Sequence, residues 1–277
     1  MTGTRTGLVG HPVSHSKSPI IHEYWIKHYG LSGTYELIDL PCEELATGIR
    51  RLKDEGFHGF NVTVPHKMAV MKLCDEVDML ARIVGAVNTV KIKDGRLYGT
   101  NTDVFGFTEN LKAHVPDFDF SLGPALVLGA GGAARAVVQG LLMEGVPEIW
   151  LSNRTASKAE ALIEHSSEPG RIRRLEWNSP YSSEDMSQVH MVINTTSLGM
   201  TGKPPLEVSL DGLSQDALVY DIVYAPLMTE LLKDSRRRGN RIVTGIGMLL
   251  HQARPGFKLW HGVMPEVTDE LTEMVGG

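Results

Sequence analysis

A glycine-rich turn near the middle of the chain has the spacing that binds the pyrophosphate of a dinucleotide. Gly129, Gly131 and Ala134 fit the pattern G-x-G-x-x-G/A, between the apolar residues 124–128 and a helix-forming stretch at 133–143. The first glycine allows a sharp turn, and the second lets backbone N–H groups approach the pyrophosphate. The alanine keeps the helix close to the sheet, and the positive N-terminal end of that helix faces the anion. The stretch predicts a dinucleotide site.

The residues after the next predicted strand indicate which dinucleotide is bound. NAD enzymes usually carry an acidic side chain here, which accepts a hydrogen bond from the ribose 2′-hydroxyl. This chain has Asn153-Arg154-Thr155 instead, with Lys158 three residues further on. A carboxylate would repel a 2′-phosphate, whereas the Arg154 guanidinium pairs with one. The sequence favours NADP over NAD, and the alternative of a solvated loop arginine fits the strand–turn–helix context less well.

Polar side chains recur at predicted strand ends in the first hundred residues, where α/β sheets bind their ligands. Each one alone is more simply explained as a helix cap or a turn residue. Together they supply hydroxyl and amide groups with one cation and one anion, which fits a small polyhydroxylated acid better than an apolar ligand. They are Ser16, Ser18, Asn61, Thr63, Lys67, Asn88, Asn101 and Asp103.

Two series of alternating strand and helix signals must position these residues. The first series includes a helix capped by Ser18 and a hairpin with an Asp94-Gly95 turn. A stretch rich in turn formers, 115–124, separates it from a second series of strands, at 125–128, 149–152, 191–194 and 218–221. Two such series predict an α/β protein with two α/β domains around a cleft, an N-terminal substrate domain and a Rossmann-type NADP-binding domain.

The same signals give the expected domain limits. We place a substrate-binding and catalytic domain at 1–105 and the Rossmann domain at 106–247. The C-terminal residues 248–277 are predicted to be helical, and we expect them to pack back on the first domain.

The composition is that of an ordinary globular protein. The 277 residues are 42% hydrophobic and 22% charged, and 27 Lys and Arg against 33 Asp and Glu give a net charge of −6. This charge disfavours nonspecific binding to nucleic acid and anionic membranes. Cys42 and Cys74 form no redox or metal motif, and no signal-peptide run opens the sequence. We expect a cytoplasmic monomer or homodimer with a small-molecule substrate, no metal, no nucleic-acid partner and no membrane contact.

Eight short motifs along the chain form a specific combination. They are Ser16-Lys-Ser-Pro19, Asn61-Val-Thr63 with Pro65-His-Lys67, Gly85-Ala-Val-Asn-Thr89, Asn101-Thr-Asp103, Gly129-Ala-Gly-Gly-Ala133, Asn153-Arg-Thr155, Asn194-Thr-Thr-Ser197 and Gln252-Ala253. In this order, from about Thr6 to about Pro255, the chain resembles the shikimate dehydrogenases of the shikimate/quinate dehydrogenase family. The resemblance implies an NADP-dependent oxidoreductase that interconverts 3-dehydroshikimate and shikimate, in the chorismate pathway of aromatic amino acid biosynthesis.

The resemblance also implies roles for individual residues. It implies substrate contacts for Ser16, Ser18, Thr63, Asn88, Asp103, Tyr224 and Gln252, and a catalytic pair of Lys67 and Asp103. It implies a pyrophosphate loop of Gly129, Ala130, Gly131, Gly132 and Ala133, and an adenosine-phosphate site of Asn153, Arg154, Thr155 and Lys158. It implies that Ile222, Gly245 and Met248 lie near the nicotinamide.

The chemistry of this reaction fits the pair of Lys67 and Asp103. Hydride leaves C4 of the nicotinamide and attacks the substrate carbonyl carbon, and the developing alkoxide needs a proton and a nearby positive charge. Lys67 supplies both, and Asp103 orients its ammonium group. Without the resemblance, an ordinary surface salt bridge is the simpler interpretation.

One departure from the family pattern concerns the cofactor. The adenosine-phosphate motif commonly continues with arginine where this chain has Lys158, which keeps the charge but loses the bidentate geometry. Two alternatives stay open at this point. The first is a quinate/shikimate or aminoshikimate dehydrogenase with relaxed cofactor use, because no residue excludes quinate. The second is a non-catalytic sensor of a nucleotide and a cyclitol acid, although a sensor has no need for a Lys–Asp pair.

Overall fold

Two compact units make up the chain, which a computed structural model describes over residues 3–177 and 181–276. One unit comprises residues 3–103 with Leu250–Val275, and the other comprises Val104–Leu249. Each unit is an α/β structure with its own sheet and its own buried core. Among the described residues, no helix combines the length and the apolar character needed to cross a membrane.

The first unit contains a mixed sheet. Its strands are β1 (Thr4–Gly10), β2 (Gly33–Asp39), β3 (Gly59–Val62), β4 (Glu76–Val77), β5 (Thr89–Lys93) and β6 (Arg96–Thr100), in the order β2-β1-β3-β5-β6-β4. Strand β1 pairs in parallel with β2 and β3, whereas β5 is antiparallel to β3 and β6. The turn between β5 and β6 is the predicted Asp94-Gly95 pair, and both residues have positive φ, 51° and 71°. This backbone matches the twist of a two-residue hairpin.

Helices from both ends of the sequence belong to the first unit. They are α1 (Ser18–His28), α2 (Leu45–Asp54), α3 (Lys67–Met71), α4 (Met79–Val84), most of α10 (Ile246–His261) and α11 (Asp269–Gly276). Helix α2 buries Leu45, Ile49 and Leu52, whose spacing puts them on one face of the helix. Indole N–H groups tie the C-terminal segment to this unit: Trp25 donates to the Glu266 carbonyl at 2.9 Å, and Trp260 donates to the Val90 carbonyl at 3.0 Å.

The second unit contains a parallel sheet. Its strands are β7 (Ala125–Leu128), β8 (Ile149–Ser152), β9 (Ile172–Leu175), β10 (Met191–Asn194), β11 (Leu218–Asp221) and β12 (Arg241–Val243), and its helices are α5 (Asp103–His114, from Val104 on), α6 (Gly132–Met143), α7 (Ala156–Glu164), α8 (Ser183–Gln188) and α9 (Glu230–Arg238). The strand order β12-β11-β10-β7-β8-β9 is that of the Rossmann fold. The order reverses between β7 and β10, and ligands of such sheets bind beyond the carboxyl ends of the strands at this point.

The four strands predicted for the second unit have the predicted bounds, because each is a fully buried apolar run. Strands β9 and β12 were not predicted. They are the two edge strands of the sheet, and their sequences, IRRL and RIV, carry arginines where a central strand has apolar residues.

Candidate active site

The Lys67 and Asp103 side chains meet in the first unit. Lys67 is the first residue of α3, and its Nζ donates to Oδ2 of Asp103 at 2.6 Å. The Lys67 and Asp103 side chains are only 17% and 7% exposed, so the pair is largely withdrawn from water, unlike a surface salt bridge. The buried His66 ring anchors the start of α3 by donating from Nε2 to the Leu40 carbonyl at 2.6 Å.

Asn88 connects this pair to Gln252. Its Nδ2 donates to Oδ1 of Asp103 at 2.8 Å and to Oγ1 of Thr102 at 2.9 Å, with Oε1 of Gln252 at 3.3 Å. Its Oδ1 accepts a hydrogen bond from the Thr102 backbone N–H at 2.7 Å, which fixes the orientation of the amide. Four of the predicted site residues are therefore brought into one cluster: Lys67, Asn88, Asp103 and Gln252.

Ser16 and Ser18 form a second polar group in the same unit. The Ser16 hydroxyl donates to Oγ of Ser18 at 3.1 Å and accepts from the Ser18 backbone N–H at 3.2 Å. The prediction that Ser18 caps α1 is wrong. Ser18 is the first helical residue, Lys17 occupies the cap position, and the Ser16 oxygen takes the free N–H group. Thr63 is half-buried directly after β3, and its methyl group fills the space beside Gly10, where a Cβ would collide with it.

Three buried residues that were not predicted from the sequence, Tyr35, Thr89 and Thr102, support this cluster. The Tyr35 hydroxyl donates to Oδ1 of Asn61 at 2.7 Å, and Nδ2 of Asn61 donates to Oγ1 of Thr89 at 2.9 Å. Thr89 in turn donates to Oδ1 of Asn88 at 3.1 Å. Thr89 and Thr102 were visible as neighbours of Asn88 and Asp103 in their motifs, whereas Tyr35 carries no sequence signal. Burial raises the pKa of the Tyr35 phenol, which keeps it a hydrogen-bond donor.

The glycine loop of the second unit has the features of an anion site. Gly129 has φ of 111°, and a Cβ there would lie 2.5 Å from Oγ1 of Thr195, so only glycine fits this turn. Gly131 occupies the cap position of α6 and offers no side chain to the first-turn N–H groups. A Cβ on Gly131 would meet nothing within 4 Å. Open space therefore adjoins N–H groups that no side chain caps, an arrangement that suits an anion such as phosphate.

Asn153 joins the glycine loop to the predicted adenosine-phosphate loop. Its Oδ1 accepts from the Ala130 backbone N–H at 3.0 Å, and its Nδ2 donates to the Thr155 carbonyl at 2.8 Å. The amide therefore sets the spacing of the two loops. Arg154, Thr155 and Lys158 all have exposed side chains at the start of α7. Gly132 and Ala133 form the half-exposed first turn of α6.

The residues predicted near the nicotinamide also come together in the second unit. The Gly245 backbone lies against Ile222 and Val223, and a Cβ there would be 2.8 Å from the Val223 carbonyl oxygen. Met248 is buried in the core against which Ile222 packs. Tyr224, predicted as a substrate contact, is half-buried three residues after β11, and burial raises the pKa of its phenol.

Asp221 ends β11 and holds the loop that carries Ile222 and Tyr224. Its carboxylate accepts from the Asn194 amide at 2.9 Å, the Val223 backbone N–H at 2.9 Å and the Thr229 hydroxyl at 2.7 Å. Burial raises its pKa to about 6, against the lowering effect of these donors. Asp221 was not among the predicted site residues, although a carboxylate at the end of a buried strand is a visible signal.

Comparison with known proteins identifies what the chain is similar to. Residues 8–90 match the model of the shikimate dehydrogenase substrate binding domain. The chain is 46% identical to the shikimate dehydrogenase (NADP(+)) of Roseobacter denitrificans. The alignment spans 272 residues and covers 98% of this chain and 97% of that protein.

Solved structures of similar proteins include two with bound ligands. Shikimate 5-dehydrogenase from Thermus thermophilus, in complex with NADP(H) and shikimate, is 36% identical with a TM-score of 0.86, covering 99% of this chain and 98% of that one. Quinate dehydrogenase from Corynebacterium glutamicum, in complex with NAD, is 31% identical with a TM-score of 0.90 and the same coverage.

Proposed function

Because the chain belongs to the shikimate dehydrogenase family, we propose that it catalyses the reversible reduction of 3-dehydroshikimate to shikimate with NADPH. The observation that carries the proposal is the buried contact of 2.6 Å between Lys67 and Asp103, held in a cluster of polar side chains. The enzyme then serves the biosynthesis of chorismate and aromatic amino acids. Its two cysteines are free thiols, which is typical of the cytoplasm, where we place the protein as a monomer or homodimer.

We assign the proton transfer to Lys67. Bound NADPH supplies the hydride for the substrate carbonyl carbon. In the direction of reduction, the Lys67 ammonium donates a proton to the alkoxide oxygen, and in oxidation the neutral amine takes the proton from the hydroxyl. Asp103 accepts the Lys67 N–H at 2.6 Å, so it orients the amine in both directions. Asn88 occupies the other carboxylate oxygen and keeps Asp103 from rotating.

Polar residues of the first unit recognise the acid and its hydroxyl groups. Ser16 and Ser18 supply hydroxyl groups of the kind that bind a carboxylate. Thr63, Asn88 and Gln252 supply hydroxyl and amide groups for the ring hydroxyls. Their mixture of donors and acceptors excludes an apolar ligand, because every polar group left without a partner would lower the affinity.

The second unit holds the dinucleotide. We assign the pyrophosphate to the loop 129–133, the 2′-phosphate to the segment 153–158 with Arg154, and the nicotinamide to Ile222, Gly245 and Met248. Support for the pyrophosphate assignment is the glycine turn at Gly129 and the uncapped start of α6. Arg154 is exposed and supplies the guanidinium that pairs with a phosphate.

A turnover assay with two acids and two dinucleotides tests the proposal. Purified protein should form NADPH from NADP⁺ with shikimate, and kcat/KM should be far lower with quinate and with NAD⁺. Comparable efficiency with quinate and NAD⁺ would instead identify an enzyme of relaxed specificity. Tight binding of shikimate and NADP⁺ without any hydride transfer would identify a sensor and refute the proposed reaction.

A further inference from the structure

Arg135 has an unusual environment in the second unit. It lies in the first turn of α6, which begins at Gly132, and its side chain is half-buried. Burial lowers the pKa of its guanidinium, and within residues 3–177 and 181–276 no ion pair or hydrogen bond holds that group. Two other partly buried arginines of this unit pair with a carboxylate: Arg171 with Glu168 and Arg241 with Asp117.

Burial of a guanidinium without a partner costs free energy, and the position of Arg135 in its helix adds to that cost. The N-terminal turn of a helix carries a partial positive charge, which repels a cation and attracts an anion. A half-desolvated guanidinium without a partner therefore destabilises the start of α6. An anion bound beside that start would remove the cost.

Packing on either side of α6 shows which neighbour Arg135 faces. Gln139 lies one helical turn further on, on the same face, and its Oε1 accepts from the Ser167 hydroxyl at 2.9 Å. Ser167 follows α7, so this face of α6 points towards α7. The other face packs on α5, where Gly140 lies against Phe107 and Glu144 pairs with Lys112 at 2.8 Å.

The start of α7 is the adenosine-phosphate loop. Strands β7 and β8 are adjacent and parallel, with Leu128 opposite Ser152, so α6 and α7 both begin at the same edge of the sheet. Helical side chains tilt towards the N-terminus of their helix, which directs Arg135 towards that edge. The Asn153 bridge to Ala130 holds the loop with Arg154 beside the start of α6.

We infer that Arg135 is a second arginine for the 2′-phosphate of NADP, acting together with Arg154. The inference rests on the proposed function, because it assumes that the second unit binds NADP. The second arginine also compensates for lysine at position 158, where the family pattern commonly has arginine. Lys158 supplies a charge but lacks the planar pair of donors that arginine offers. Arg135 supplies that pair from the neighbouring helix.

Binding of two small nucleotides tests the inference without any turnover. Titration calorimetry measures the affinity of 2′-AMP, which carries only the 2′-phosphate, and of ADP, which carries only the pyrophosphate. Arg135→Gln should lower the affinity for 2′-AMP by about tenfold or more and change the affinity for ADP by less than about twofold. The control Arg154→Gln should have the same two effects. Arg135→Lys should recover part of the 2′-AMP affinity, since it restores the charge. The Tm of Arg135→Gln without nucleotide should stay equal or rise, because an unpaired cation has been removed.

Two results would overturn the inference. Unchanged 2′-AMP affinity in Arg135→Gln, with the expected loss in Arg154→Gln, would show that Arg135 does not hold the 2′-phosphate. Loss of ADP affinity with 2′-AMP affinity kept would place Arg135 at the pyrophosphate instead. Failure of the unsubstituted protein to bind 2′-AMP or NADP⁺ would be a different outcome, because it refutes the proposed NADP dependence on which the inference stands.

Discussion

Nδ2 of Asn88 donates to Oδ1 of Asp103 at 2.8 Å, on the carboxylate oxygen opposite to the one that accepts from Lys67. Both oxygens of Asp103 therefore have a fixed partner, and Asp103 is 5% exposed. A carboxylate held at both oxygens cannot rotate without losing a hydrogen bond. The position of the Lys67 amine thus depends on Asn88 as well as on Asp103.

Removal of this amide should slow the reaction. Asn88→Ala leaves Oδ1 of Asp103 without its donor, and one hydrogen bond to a charged group corresponds to about 2 kcal/mol, or roughly a thirtyfold loss of kcat. Steady-state kinetics with shikimate and NADP⁺ measure the effect, and the KM for NADP⁺ should not change. An unchanged kcat with only a raised KM for shikimate would show that Asn88 contacts substrate but does not position Asp103.

The choice between NADP and NAD should depend on Arg154. Arg154→Gln removes the guanidinium that we assign to the 2′-phosphate, so the KM for NADP⁺ should rise by about tenfold or more while that for NAD⁺ stays constant. Arg50→Gln, a substitution of an exposed arginine in α2, serves as the charge-matched control. A parallel rise of KM for both dinucleotides would contradict the assignment.

A methyl group at Gly247 should destabilise the second unit. A Cβ there would collide with the Asn110 side chain, which cannot withdraw because its Nδ2 donates to the Tyr220 hydroxyl at 2.7 Å and the Thr244 carbonyl at 2.9 Å. Gly247→Ala should lower the free energy of unfolding by about 1–3 kcal/mol. Gly170→Ala, where a Cβ meets nothing within 4 Å, should have little effect. Denaturant titration measures both, and equal values would refute the collision.

The buried carboxyl of Asp221 should make stability depend on pH. Burial raises its pKa to about 6 from an ordinary 3.8, so the folded protein holds this proton more tightly than the unfolded chain does. Its contribution to stability is complete below about pH 4 and is lost as the pH rises through about 6, a total of about 3 kcal/mol. Asp221→Asn has no such titration. Its free energy of unfolding should therefore fall less between about pH 4 and pH 7, and parallel pH curves for the two proteins would contradict this.

Local sequence patterns predicted most of the central strands and the fold class, but not the contacts between side chains that are distant in sequence. The turn at Gly129 and the buried run of β7 are recognisable because a short stretch of chain determines each of them. The edge strand β9 escaped prediction because its Arg173 and Arg174 interrupt the apolar pattern.

The site shows the same division between local and distant features. Motifs and resemblance pointed to Lys67, Asn88 and Asp103, but their spacing does not show that Asn88 joins the other two. Tyr35 lies 26 residues from its partner Asn61, and only the register of the sheet brings them together. Arg135 belongs to an ordinary helix-forming stretch. Only the structure shows that its side chain is half-buried and that no described residue pairs with its guanidinium.

Replacement of Lys67 tests the central claim most directly. Lys67→Met keeps much of the side-chain volume but removes the group that gives and takes the proton. We predict that kcat for shikimate oxidation falls by about 10²–10⁴, the usual contribution of a general acid–base group, while calorimetry shows shikimate and NADP⁺ still bound. A kcat close to that of the unsubstituted protein would contradict the account, because the buried pair of Lys67 and Asp103 would then have no part in the chemistry.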